Sequence, residues 1–209
     1  MRPRRKLVRA HAALAFGARS GFTLGALVLA LCVVHSTAGL AQASESDLWG
    51  ALRSGGHVAL LRHALAPGTG DPAAFRIDDC ATQRNLSAEG RKQAEGIGDR
   101  FRENAIDSAR VVTSQWCRCR ETAELLRLGP VTDLPILNSF FQNREGRAPQ
   151  TRDLRAWLQR QDSDAVQVLV THQVNISALT GVYTKSGELV ILRIGGDGAL
   201  SVVGSIETD

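Results

Sequence analysis

Two histidines and two arginines stand out because each ends, or closely follows, an apolar run. Arg62-His63 follows Val58-Ala59-Leu60-Leu61, and His172 follows the run Val166 to Thr171. Arg118 comes shortly after the run Ala109 to Thr113, in a Ser114-x-x-x-Arg118 spacing. Arginine's planar fork matches the oxygens of a phosphoryl group, and a neutral imidazole serves as nucleophile or proton carrier. If the runs are parallel strands of one open sheet, their carboxyl ends share an edge and the four side chains meet in one crevice. Desolvating such a set without a counter-charge is costly, so the pattern points to an anion, phosphate above all. Taken singly, each residue has an ordinary reading: a satisfied strand-end histidine, or a solvated helix arginine. The combination is what carries the chemistry.

The elements that must position these groups follow from periodicity. Short apolar runs read as buried strands at Val58–Leu61, Ala109–Thr113, Val131–Leu137 and Val166–Thr171. Glu188–Ile194 and Ala199–Ile206 read as a closing pair of strands. Helical spacing is expected over 44–54, 87–102, 114–126, 151–160 and 174–180, with Ser87 as an N-cap. Alternating strands and helices predict an α/β fold, a three-layer α/β/α sandwich with a largely parallel central sheet. Ser114 is expected to open the helix carrying Arg118, so that first-turn amides and the helix dipole favour the same anion. Arg118 and Thr122 then share a face, whereas Arg120 points away. The loop 64–85, with Pro67, Gly68, Gly70 and Pro72, is long enough to suggest a functional role. Arg84 near its end could reach substrate or remain on the surface, and Trp49, Trp116 and Trp157 are expected in core or lid packing.

In order along the chain, Arg62-His63-Ala64, Leu86-Ser87-Ala88-Glu89-Gly90-Arg91-Lys92-Gln93-Ala94, Ser114-x-x-x-Arg118-x-x-x-Thr122-Ala123, Leu169-Val170-Thr171-His172 and Gly187-Glu188-Leu189-Val190 form five blocks. This series resembles the histidine phosphatase (phosphoglycerate mutase-like) superfamily and spans residues 57 to about 194. The resemblance implies a phosphoglycerate mutase-like fold in which His63 attacks phosphorus through a neutral ring nitrogen and forms a phosphohistidine. It implies that Arg62, Arg118 and His172 hold the non-bridging oxygens; Ser114 and Arg84 stand beside them as candidate substrate contacts read from their positions in the sequence. It also implies that no metal or other cofactor is needed. The family uses a carboxylate to protonate the leaving oxygen, and here the sequence departs from the pattern. The stretch Leu137 to Arg144 has no acid and Gln173 follows the second histidine, which leaves Glu145 as the candidate and Asp79 behind it. Export, size and Cys80 make the chain most similar to the lipopolysaccharide core heptose-phosphate phosphatase group.

Residues 1–43 read as a cleavable signal peptide ahead of a histidine phosphatase domain over 44–209. Arg2, Arg4, Arg5, Lys6, Arg9 and Arg19 precede an apolar run, Gly21 to Val34, that is short for a membrane span. Ala41-Gln42-Ala43 supplies a small-x-small cleavage pattern, so a periplasmic or secreted protein with no lasting membrane span is expected. Removing the six leader cations from 25 leaves 19 against 21 acids, a formal charge of −2. No basic stripe remains to bind nucleic acid. In an oxidising space Cys80 could pair with Cys117 or Cys119, or all three could stay free; Cys117 and Cys119 should not pair with each other. No spaced His or Cys set suggests zinc.

The expected activity is therefore hydrolysis of a phosphomonoester, borne by a phosphorylated small molecule such as a sugar, or by an envelope glycolipid. A cytosolic mutase is disfavoured by the leader, and a large acid phosphatase by the chain's length. The reading from another class is a phosphate- or phosphosugar-binding protein without turnover.

Overall fold

The computed structural model describes residues 43–161 and 164–208. Apart from Ala43, the expected signal peptide lies outside the described residues. Among the described residues, no helix is long and apolar enough to cross a membrane.

Six strands form one sheet: β1 His57–Arg62, β2 Arg110–Thr113, β3 Val131–Asp133, β4 Gln167–Thr171, β5 Leu189–Ile194 and β6 Leu200–Ile206. Their spatial order is β3-β2-β4-β1-β5-β6. The β2–β3, β2–β4 and β1–β4 pairs are parallel, and β5 runs antiparallel to both β1 and β6. The largely parallel sheet is thus present with an antiparallel edge. Between its polar ends β1 is apolar, Val58 to Leu61, because both faces are covered. Ala59 and Leu61 join the core beneath α1 (Glu45–Arg53), α2 (Ala88–Glu103) and α3 (Cys117–Leu125). Val58 and Leu60 join the opposite core beneath α4 (Arg147–Leu158) and α5 (Gln173–Thr180). These are the three layers.

Element boundaries differ from expectation at three places; α4 begins at Arg147, four residues before the expected start at 151. The third strand ends at Asp133, and a 3-10 turn at Pro135–Leu137 replaces its second half. Proline has no N–H for a sheet ladder and its fixed φ suits the start of a turn. The helix of Arg118 starts at Cys117 rather than Ser114, with Trp116 as N-cap. Ser114 does not cap it in the usual way because its hydroxyl is engaged across the sheet edge.

The Leu86–Ala94 block has a scaffolding purpose. An added Cβ at Gly90 would lie 2.0 Å from the Leu65 carbonyl oxygen, so only glycine lets α2 approach the segment after His63 this closely. Gln93 accepts from the Leu65 N–H at 3.0 Å and donates to the Ser186 carbonyl at 2.9 Å. Ala94 is fully buried behind them. One helix face therefore ties the segment after β1 to the segment before β5.

Candidate active site

The edge of the sheet holds Arg62 and His63 rigidly. The His63 N–H donates to the Thr171 carbonyl at 2.9 Å, and the Arg62 N–H to the Glu188 carbonyl at 3.1 Å. The Gly187 N–H reaches back to the Arg62 carbonyl at 3.1 Å. Thr122, one turn beyond Arg118, accepts from the Ala64 N–H at 3.1 Å while donating to the Arg118 carbonyl at 2.6 Å. One hydroxyl thus couples the histidine's loop to the arginine's helix.

The structure brings Arg62, His63, Arg118 and His172 together. They line one crevice of about 140 Å³ with Asp71, Arg84 and other loop residues. The two imidazole centroids are 5.5 Å apart. Arg118 Nε lies 3.3 Å from His63 Nε2, and its Nη2 lies 3.5 Å from His172 Nδ1. Because arginine only donates, both of those ring nitrogens present lone pairs. His63 Nδ1–H then donates to the Ala64 carbonyl at 2.8 Å, and His172 Nε2–H to the Ser114 hydroxyl at 2.9 Å. Burial, then the charge of Arg118, pushes the His63 pKa down to about 3. Burial, then the nearby His63 and the arginines, likewise holds His172 well below the usual histidine range. Both rings are neutral at neutral pH, and His63 keeps a nucleophilic Nε2 lone pair.

Three arginines line the crevice against one aspartate. Burial lowers the Arg62 and Arg84 pKa values, and the charge of Arg118 lowers both further. Arg62 donates through Nη1 to the Thr184 carbonyl at 2.6 Å, while its buried Nε has no partner. An orphaned buried donor at a cationic cleft is what an anion would satisfy. Among the described residues, no group of His, Cys, Asp or Glu side chains could hold a metal ion.

Several sequence expectations need correction. Ser114 is fully buried and does not line the crevice; its hydroxyl donates to Asn138 Oδ1 at 3.2 Å while accepting from His172. Its hydroxyl holds His172 and Asn138 and is not turned to the crevice. The expected helix-end anion site is also occupied. The Gln115, Trp116 and Cys117 N–H groups donate to Asn138, Ser114 and Gln83 side chains, respectively. Glu145 lies in an exposed 3-10 turn, Arg144–Gly146, and does not line the crevice. Asp79 caps the Cys80–Thr82 turn and pairs with Arg76. Arg84 does face the crevice, while its Nε donates to the Gly70 carbonyl at 2.8 Å. Arg120 points away, paired with Asp133.

Asp71 was not singled out by the sequence. Its carboxylate bridges Arg118 at 2.8 and 3.1 Å, and accepts from the Trp116 indole at 3.0 Å and the Arg84 N–H at 3.1 Å. Burial pushes its pKa up, but the hydrogen bonds and charge of Arg118 outweigh that and leave it lowered. An acid set between Gly70 and Pro72, in a loop beside a cationic site, was the available signal. A disulfide joins Cys80 of that loop to Cys117 at the start of α3, and Phe75 stacks on Trp116. Cys119 is a free, buried thiol beside His172.

Known structures share this architecture. The protein histidine phosphatase SixA complexed with tungstate superposes with a TM-score of 0.55 at 16% identity, covering 73% of this chain and 97% of SixA. A putative alpha-ribazole-5'-P phosphatase from Escherichia coli gives 0.53 at 17% identity, over 70% of this chain and 93% of that one. Mycobacterial glucosyl-3-phosphoglycerate phosphatase gives 0.52 at 17% identity, over 70% and 95%. No curated protein sequence matches the chain. At these identities the superpositions show the fold alone. The family model of the histidine phosphatase superfamily (branch 1), however, matches residues 58–168, more than half of the chain. The chain belongs to the histidine phosphatase superfamily, branch 1.

Proposed function

We propose that this chain is an exported phosphomonoesterase whose His63 carries the phosphoryl group between two steps. The observation that carries the reading is the neutral His63, its Nε2 lone pair directed into a crevice lined by three arginines. Nε2 attacks phosphorus, and Arg62 Nε and Arg118 neutralise the charge that develops on the non-bridging oxygens. His172, locked by Ser114, keeps its Nδ1 side toward Arg118 and the crevice. Water then cleaves the phosphorus–nitrogen bond. The side chains that line the site do this work, so turnover is expected in the presence of a chelator.

A phosphorylated sugar or an envelope glycolipid is the substrate class we favour. A groove of about 450 Å³ shares Phe141, Gln173 and Val174 with the crevice and continues past Phe140, Arg144, Arg147 and Tyr183. Aromatic faces suit a sugar ring, and the two arginines suit further anionic groups. The basic and apolar leader supports export to the periplasm or beyond, and the disulfide fits an oxidising compartment.

Hydrolysis of p-nitrophenyl phosphate and of sugar phosphates in EDTA tests the activity. The wild type should turn over and His63→Ala should not, with its thermal unfolding still cooperative. The second reading, a phosphate binder without turnover, draws on one observation: Glu145, the acid expected to protonate the leaving oxygen, does not line the crevice. Tight phosphate binding with no hydrolysis between pH 4 and 8, the range of the ionisations involved, would favour it.

A further inference from the structure

Every N–H of the Arg118 side chain is already accepted by the protein. Nε is aimed at His63, Nη1 at Asp71 Oδ1 and the Arg84 carbonyl, and Nη2 at Asp71 Oδ2 and His172. The fork suited to a phosphoryl group thus holds a carboxylate in the same two-pronged manner. The Asp71 side chain is 4% exposed, and among the described residues Asp71 is the one carboxylate lining the crevice.

Two anions cannot share that fork without one being neutralised. Like charges a few ångströms apart disfavour each other, so one carboxyl or phosphoryl group must take a proton or leave. The groups facing Asp71 are Arg118 and the Trp116 indole at the start of α3, and the Arg84 N–H within its own loop. His63, His172, Arg62 and Arg84 complete the cleft. With Arg118 given over to substrate, Asp71 would keep only two neutral donors and would face a dianion.

We propose that Asp71 is a catalytic residue: substrate phosphate displaces its carboxylate from Arg118, and the displaced, protonated carboxyl delivers its proton to the leaving oxygen. This rests on the phosphatase reading above. In the first step the His63 Nε2 lone pair forms the bond to phosphorus. The bond from phosphorus to the ester oxygen breaks, and that oxygen takes the Asp71 proton and leaves as an alcohol. In the second step water attacks phosphorus, Asp71 carboxylate takes its proton, and the phosphorus–nitrogen bond electrons return to Nε2. When phosphate departs, Arg118 recaptures Asp71, which returns its proton to solvent.

Binding of inorganic phosphate should therefore draw protons from the buffer. Calorimetry of the wild type in buffers of different ionisation enthalpy measures this directly, and binding without proton uptake overturns the proposal. Asp71→Asn should abolish the uptake and bind phosphate roughly tenfold or more tightly, because the internal competitor is gone. The variant should lose about 10²- to 10⁴-fold in kcat on glycerol phosphate, whose alkoxide needs a proton, and under about tenfold on p-nitrophenyl phosphate. Asp71→Glu should recover part of the glycerol phosphate rate. Equal losses on both esters, or weaker phosphate binding, overturn the assignment. If the wild type hydrolyses neither ester, the phosphatase reading fails and this inference falls with it. If the wild type hydrolyses both and the variant loses equally on each, only Asp71 is wrong.

Discussion

Breaking the Cys80–Cys117 bond should cost much of the fold's stability. The two cysteines are 37 residues apart, and closing a loop of that length in the unfolded chain is worth about 4 kcal/mol at 25 °C. For a domain of this size each kcal/mol moves Tm by roughly 2–4 °C, so Cys80→Ser/Cys117→Ser should melt about 8–16 °C lower. Reduced wild type should melt at a similar temperature. The reading is clean because burial raises the thiol pKa of Cys119, the third cysteine of the described residues, to about 12, which keeps it unreactive. Loop 64–85 would not be released outright. Gln83 still accepts from the Cys117 N–H, Phe75 still stacks on Trp116, and Asp71 still pairs with Arg118. The assay is a circular-dichroism melt of both proteins with and without reductant, with free thiols counted after denaturation. A shift under about 3 °C once the thiol count shows the bond gone would refute the reasoning. So would a reductant effect that persists in the double variant.

Acid should destabilise the fold in a defined window. The folded His63 titrates near pH 3 against about 6.5 when unfolded, so its contribution is complete above pH 6.5 and is lost on acidification towards pH 3. The slope is at most about 1.4 kcal/mol per pH unit per histidine, with His172 adding in the same direction, and urea melts at stepped pH would measure it. Flat stability between pH 6.5 and 4 would contradict the neutral assignment. Gly90→Ala should destabilise by about 1–3 kcal/mol by driving a methyl into the Leu65 carbonyl, with a fall in kcat as the His63 loop shifts, read by melts and steady-state kinetics. Thr122→Val removes the acceptor for the buried Ala64 N–H and should cost about 1–3 kcal/mol in denaturant melts.

The strands and their ends were legible because a sheet covered on both faces leaves continuous apolar runs, and polar residues at the ends of such runs are conspicuous. That made Arg62, His63 and His172 visible, and the four-residue spacing from Ser114 picked out Arg118. Asp71 was hidden because its loop has no periodicity. Buried cations need a counter-charge, and part of it is supplied by the chain itself, as Asp71 on Arg118, rather than by a ligand. An N-cap serine and a serine holding a histidine look alike in sequence until the partner across the sheet edge is known, as Ser114 shows. Glu145 has the place in the sequence that an acid would need, but its exposed turn carries it away from the crevice.

The central claim is that His63 carries the phosphoryl group. Rapid quench of the enzyme with a ³²P-labelled phosphomonoester, followed by peptide mapping, tests it most directly. An acid-labile, base-stable label on the peptide containing His63, absent from His63→Ala, is the predicted result. A label on His172 or on no residue during active turnover, or turnover persisting in His63→Ala, would contradict the account.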